Sequence, residues 1–239
     1  MSLQFPKDFV WGTSTAAYQI ETAFEHDWKG VKSKDGYVFD RTTDHELRFS
    51  DDAELIANVA KSYRMSMQWS KLQREPLALF HQETVDEYKR FLDTLKSKNV
   101  QIMLVLHHFT DPLWFVKLGK WQNERCLHAF YNYAEQFVKH FGSYADYWNT
   151  FNEPNVFVSN GWMEGDFPPF KKNYVDGFKI IGQLGKAHDE VYDIIKAKSG
   201  KPIGISHNTV HFEAEHWAAI PQVQLNDWWF NEYCLLKVS

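Results

Sequence analysis

The chain of 239 residues has only two cysteines, Cys126 and Cys234, and they stand at no metal-binding or redox spacing. That excludes a disulfide framework and thiolate zinc sites, and leaves two reduced core residues as the expectation. No run approaches the roughly 18 uninterrupted apolar residues of a membrane span. The opening Met1-Ser2-Leu3-Gln4-Phe5-Pro6 lacks the charged start and apolar stretch of a secretory leader. No membrane role is expected, and the cytoplasm is the expected location. Positive charge is short too, with 26 Lys and Arg against 31 Asp and Glu for a net −5. Without a basic excess little can neutralise a phosphate backbone, so nucleic acid is not an expected partner. Phosphate loops of the GxGxxG or Walker type are missing, as is a GxSxG nucleophile elbow. His207, His211 and His216 cluster late, but without His-Glu-x-x-His spacing or a completing set of carboxylates no metal site is read there.

Aromatic residues are what the chain has in excess: 17%, ten of them Trp. Flat rings fill cores and equally suit the C–H faces of sugars. Short β-rich runs at 9–14, 63–69, 100–109, 147–151 and 202–206 alternate with segments of helical period, the pattern of βα units on a parallel sheet. Ile102-Met103-Leu104-Val105-Leu106 shows no polar alternation, as expected of a strand covered on both faces. Tyr88, Phe91, Leu92 and Leu95 share one helical face, as do Phe130, Tyr133, Ala134 and Phe137 ahead of Gly142. Ser50 before Asp51 and Asp52 reads as an N-cap, 174–199 as a long helix ending at Gly200, 161–172 as a loop, and 223–236 as a final helix. No linker or repeat divides the chain, so one α/β domain over 1–239 is expected. Five strand–helix units fall short of the eight that close a barrel.

Chemistry in parallel α/β folds sits at the carboxyl ends of the strands, where the loops converge. The fourth strand ends in Asn152-Glu153-Pro154. Proline disfavours the α region for the residue before it, which predicts an extended Glu153 at the strand tip. Trp148 and Phe151 are expected to supply an apolar wall, and such a wall favours the neutral form of a carboxyl that a general acid requires. A loop glutamate before a turn proline is the plain alternative. His108 ends the third strand and could hold a substrate hydroxyl or be a satisfied core group. The amides of Gln19 and Asn152 suit vicinal sugar hydroxyls and suit turn or cap bonding equally well. The planar fork of Arg64 suits a carboxylate or a structural ion pair.

Together these segments resemble glycoside hydrolase family 1, the β-glucosidase family. The run Phe9-Val10-Trp11-Gly12-Thr13-Ser14-Thr15-Ala16-Ala17-Tyr18-Gln19-Ile20-Glu21 is similar to its N-terminal signature. Tyr63-Arg64-Met65-Ser66-Met67-Gln68-Trp69-Ser70 resembles its second-strand motif, and Trp148-Asn149-Thr150-Phe151-Asn152-Glu153-Pro154 its acid/base motif. The resemblance implies a (β/α)8 TIM barrel, here incomplete with about five βα units, and retaining hydrolysis of β-linked glycosides. It implies Glu153 as acid/base, Arg64 as the residue that orients the nucleophile, and Gln19, His108 and Asn152 as substrate-binding residues. A small-molecule β-glycoside is the implied partner, and two carboxyl groups suffice without metal or cofactor. Phe109 departs from the tryptophan common after the histidine, and Thr22 and Phe170 replace common glycines.

The family nucleophile lies in a late Thr-Glu-Asn-Gly motif, which these residues do not contain. Glu213 and Glu215 match no nucleophile position. The expectation is an acid/base half that is weakly active or inactive alone and that self-associates or pairs with a complementary C-terminal half, because an open barrel exposes two sheet edges. A silent sugar-binding half-barrel and a structural fragment that oligomerises are the alternatives.

Overall fold

A computed structural model describes residues 4–22, 25–38 and 42–238; Met1, Ser2 and Leu3, at the start of the expected domain, lie outside these. Five strands form one sheet in sequence order, every neighbouring pair parallel. They are β1 (Gly12–Thr15), β2 (Ser62–Ser66), β3 (Gln101–His107), β4 (Tyr147–Asn152) and β5 (Ile203–Ser206). The helices between them are α1 (Ala17–Ile20), α2 (Phe49–Val59), α3 (Trp69–Leu72), α4 (Gln82–Ser97), α5 (Leu113–Lys117), α6 (Glu124–Phe141), α7 (Pro154–Val158) and α8 (Tyr174–Lys198). After β5 come α9 (Ile220–Asp227) and α10 (Cys234–Lys237). Each crossover returns the chain one strand further along, which is the winding of a (β/α)8 barrel, here incomplete.

The helix-facing side of the sheet carries the core. Tyr63, Met65, Ile102, Leu104, Trp148 and Phe151 join Tyr88, Phe91, Leu92 and Leu95 of α4 and Phe130, Tyr133, Ala134 and Phe137 of α6 in one buried apolar cluster. The two helical faces legible in the sequence are therefore the packed faces. Each such aromatic contributes roughly 2–3 kcal/mol by leaving water, so Phe130→Ala is worth about 3–5 kcal/mol once the cavity is counted. The opposite face is more polar: Ser14, Arg64, Met103 and Tyr147 stand in one register row across four strands. Cys126 and Cys234 are buried and form no disulfide, and burial pushes both thiols up to about 12.

Several expected boundaries differ. The first strand begins at Gly12, and exposed Phe9 and Trp11 instead form an aromatic trio with Phe5, ring centroids 4.6–4.8 Å apart. Ser50 is not a cap: α2 starts at Phe49 after Arg48, and Asp52 is engaged by His45 Nδ1 at 2.6 Å. Part of the expected 161–172 loop is helical, because fully buried Trp162 packs on Phe157 and holds a π-helical stretch over Ser159–Glu164. The final helix starts early, at Ile220, and a π-helical stretch over Trp228–Tyr233 sets Trp229 and Tyr233 against Phe178.

Candidate active site

The strand tips bring together side chains from four strands. Arg64 of β2 reaches across the inner face, donating from Nη2 to Asn152 Oδ1 at 2.5 Å and Ser206 Oγ at 3.0 Å, and from Nη1 to Ser14 Oγ at 3.3 Å. Its guanidinium is thus held by neutral oxygens on β1, β4 and β5, with no carboxylate at ion-pair distance among the described residues. Burial lowers the guanidinium's pKa, and the nearby charge of Glu153 opposes that.

Glu153 stands at the β4 tip, half-buried, with Oε1 accepting from Asn208 Nδ2 at 3.2 Å. Its backbone is left-handed, φ 45 and ψ 61, where an extended conformation was expected. Pro154 does remove the right-handed helical option, but the Glu153 N–H donates to Ser206 O at 2.7 Å, and that bond turns the residue into the remaining compact region. Such a conformation in a non-glycine residue costs on the order of 1–3 kcal/mol and is held by its surroundings. The expected apolar wall is elsewhere. Phe151 packs outward on Trp121 and Phe130, and Trp148 on Phe137; the two are three residues apart, and the register shift between Asn149 and Asn152 lets both face the helices. Glu153 lies instead among polar groups.

His108 has a buried Nδ1 without a partner, and burial, then Arg64 and His107, pushes its pKa down to about 3. It is a neutral imidazole with one hydrogen-bonding position open, as a hydroxyl-binding group would be. Phe109 beside it is left-handed at φ 70 and accepts from Trp28 Nε1 at 3.3 Å through its carbonyl, so an indole N–H reaches this loop from the β1 side. Gln19 sits in α1 at the same end of the sheet but is exposed and bonds to none of the other four. Glu213 is exposed and paired with His211 at 3.0 Å, and exposed Glu215 is equally remote from this cluster's bonding.

Beneath these tips lies a buried charge network. Lys120 Nζ reaches Asp27 Oδ2 at 2.7 Å and Asp111 Oδ2 at 3.1 Å, and Asp111 also takes His107 Nε2 at 3.0 Å and Trp121 Nε1 at 3.2 Å. Burial raises Asp27 to about 6 despite Lys120. Reciprocal backbone and side-chain bonds between Asp27 and Asp111 fasten the loop after α1 to the loop after β3.

Four residues of the cluster went unread in the sequence: Ser14, Asn149, Ser206 and Asn208. The last two lie two apart at a strand end, hence on one side, and that spacing was the available signal.

A family model described as Glycosyl hydrolase family 1 matches residues 1–226. The chain is 31% identical over 224 residues to the 1,4-beta-D-glucan glucohydrolase of Thermotoga neapolitana, covering 88% of this chain and 52% of that protein. It is 30% identical over 230 residues to Beta-glucosidase A of Acetivibrio thermocellus, covering 90% and 51%. Among solved structures, the beta-glycosidase from Pyrococcus horikoshii superposes with a TM-score of 0.87 at 29% identity, covering 98% of this chain and 56% of that one. The beta-glucosidase from Thermotoga maritima in complex with deoxynojirimycin gives 0.86 at 28%, covering 95% and 54%. The chain spans about half the length of the curated relatives it matches. A match across nearly all of the chain, on a parallel sheet wound in sequence order, leads to one conclusion: the chain belongs to glycosyl hydrolase family 1.

Proposed function

We propose that this chain contributes the acid/base half of a site that hydrolyses β-linked glycosides with retention. The observation that carries the reading is the place of Glu153: a strand-tip carboxyl held by Asn208, within the field of Arg64, next to Asn152. Glu153 gives its proton to the glycosidic oxygen as the bond from that oxygen to the anomeric carbon breaks, while a second carboxylate attacks the anomeric carbon. Water then attacks the glycosyl-enzyme, Glu153 takes the water's proton, and the second carboxylate leaves. Asn152, His108 and Gln19 hold sugar hydroxyls, with Gln19 moving in from its exposed position, and Arg64 turns its fork toward the second carboxylate.

That second group comes from polypeptide outside these residues, either a complementary C-terminal half or another chain. Supporting this are the open edges of β1 and β5, the exposed aromatics Phe5, Phe9 and Trp11, and relatives of about twice the length. The relatives named as glucosidases favour a glucoside as substrate. Hydrolysis of 4-nitrophenyl β-D-glucoside by the purified chain, alone and mixed with a polypeptide bearing the second carboxylate, tests the proposal. Weak or no turnover alone and strong turnover in the mixture is expected; equal turnover in both would overturn it.

A further inference from the structure

Resting on the acid/base reading of Glu153, we infer that the tip of β5 is the positioning element of that carboxyl: Asn208 pins Oε1, leaving Oε2 as the proton-carrying oxygen, while Ser206 fixes the backbone beneath it.

The contacts converge. Ser206 accepts the Glu153 N–H through its carbonyl at 2.7 Å and, through its hydroxyl oxygen, accepts from Arg64 Nη2 at 3.0 Å and from Asn149 Nδ2. One residue therefore couples the left-handed backbone of the acid to the guanidinium beside it. Asn208, two residues on, points its amide at the same carboxyl.

The amide is itself held in place. Buried Asn155 donates to the Asn208 carbonyl at 2.7 Å, His207 Nε2 donates to Phe230 O at 2.9 Å, and Asn231 brackets Val210, accepting from its N–H at 3.0 Å and donating to its carbonyl at 2.6 Å. The loop after β5 is tied to both α7 and the helical stretch after α9, so the amide needs no rearrangement when the reaction starts. A donor on one carboxylate oxygen does two things. It stabilises the negative charge that appears as the proton departs, and it confines the proton to the other oxygen, giving the transfer one direction.

Two measurements test this. In 15N-labelled chain, the Asn208 side-chain amide signals should shift with pH along one ionisation and lose that dependence in Glu153→Gln. Signals that ignore pH, or that titrate alike in both proteins, overturn the inference, whether or not the chain turns over. The second compares β-glucosides of poor and good leaving groups, using the chain with its completing polypeptide. A poor leaving group needs the acid and a good one does not. Asn208→Ala should lower kcat/KM for methyl β-glucoside by about tenfold or more while leaving 2,4-dinitrophenyl β-glucoside within about twofold. Equal losses on both substrates would mark Asn208 as merely structural and sink the inference. If Glu153→Gln itself spares methyl β-glucoside, the parent reading fails, and the amide titration still reports on the pairing.

Discussion

Glu21 is a buried carboxyl whose ionisation the fold resists, and replacing it with glutamine should change how stability depends on pH. Only 2% exposed at the end of α1, it accepts from Tyr88 Oη through both oxygens, at 2.7 and 2.8 Å. Lys71 lies 3.9 Å away and is shared with Glu87, while Glu46 and Tyr63 also face it. Burial raises its pKa from 4.5 to about 7, against the pull of Lys71 and Tyr88. Between those values the folded protein holds a proton that the unfolded chain has released. Folding is therefore favoured by this group below about pH 4.5, and the advantage is lost as pH rises through about 7. At about 1.4 kcal/mol per pH unit, the loss between pH 5 and 8 comes to about 2–3 kcal/mol. Glutamine keeps an acceptor for Tyr88 but does not titrate. Any fixed cost of the amide is the same at both pH values, so urea unfolding followed by tryptophan fluorescence isolates the ionisation. Glu21→Gln should improve relative to wild type by about 2–3 kcal/mol on going from pH 5 to pH 8. The same difference between variant and wild type at both pH values would refute the argument.

Other outcomes follow from the packing. Lys120→Met strands two carboxylates beside each other in a buried site and should cost about 3–5 kcal/mol in the same unfolding assay, with Asp27→Asn in the double variant recovering part of it. Glycines of α8 should diverge. A Cβ at Gly185 would stand 1.8 Å from Lys237 O, so Gly185→Ala forces α10 away and costs about 1–3 kcal/mol. Gly182 meets nothing within 4 Å, so Gly182→Ala should raise stability by about 0.5–1 kcal/mol, visible as a higher denaturation midpoint.

The strand order and the packed helix faces were legible because periodicity reports burial directly: Tyr88 and Phe130 lie where their spacing puts them. The site was legible in part. His108, Asn152 and Glu153 sit at strand ends as read, and Arg64 reaches across from the middle of β2, yet their relations depend on contacts between strands that no local pattern encodes. The left-handed turn of Glu153 comes from a carbonyl on β5, 53 residues further on, and so escaped an argument built on Pro154 alone. Trp148 and Phe151 were misplaced for a simpler reason. β4 shifts register between Asn149 and Asn152, so the alternation that would separate residues three apart fails there and both rings face the helices. The aromatic run ahead of β1 read as strand because β propensity reflects burial, and Phe9 and Trp11 find cover only in each other and in Phe5.

The most direct measurement is the kcat/KM of methyl β-glucoside for the chain paired with a polypeptide that supplies the second carboxylate, compared with the same pair carrying Glu153→Gln. Loss of a general acid should lower the value by about a hundredfold or more. An unchanged value would remove Glu153 from the chemistry and contradict the acid/base assignment at its root.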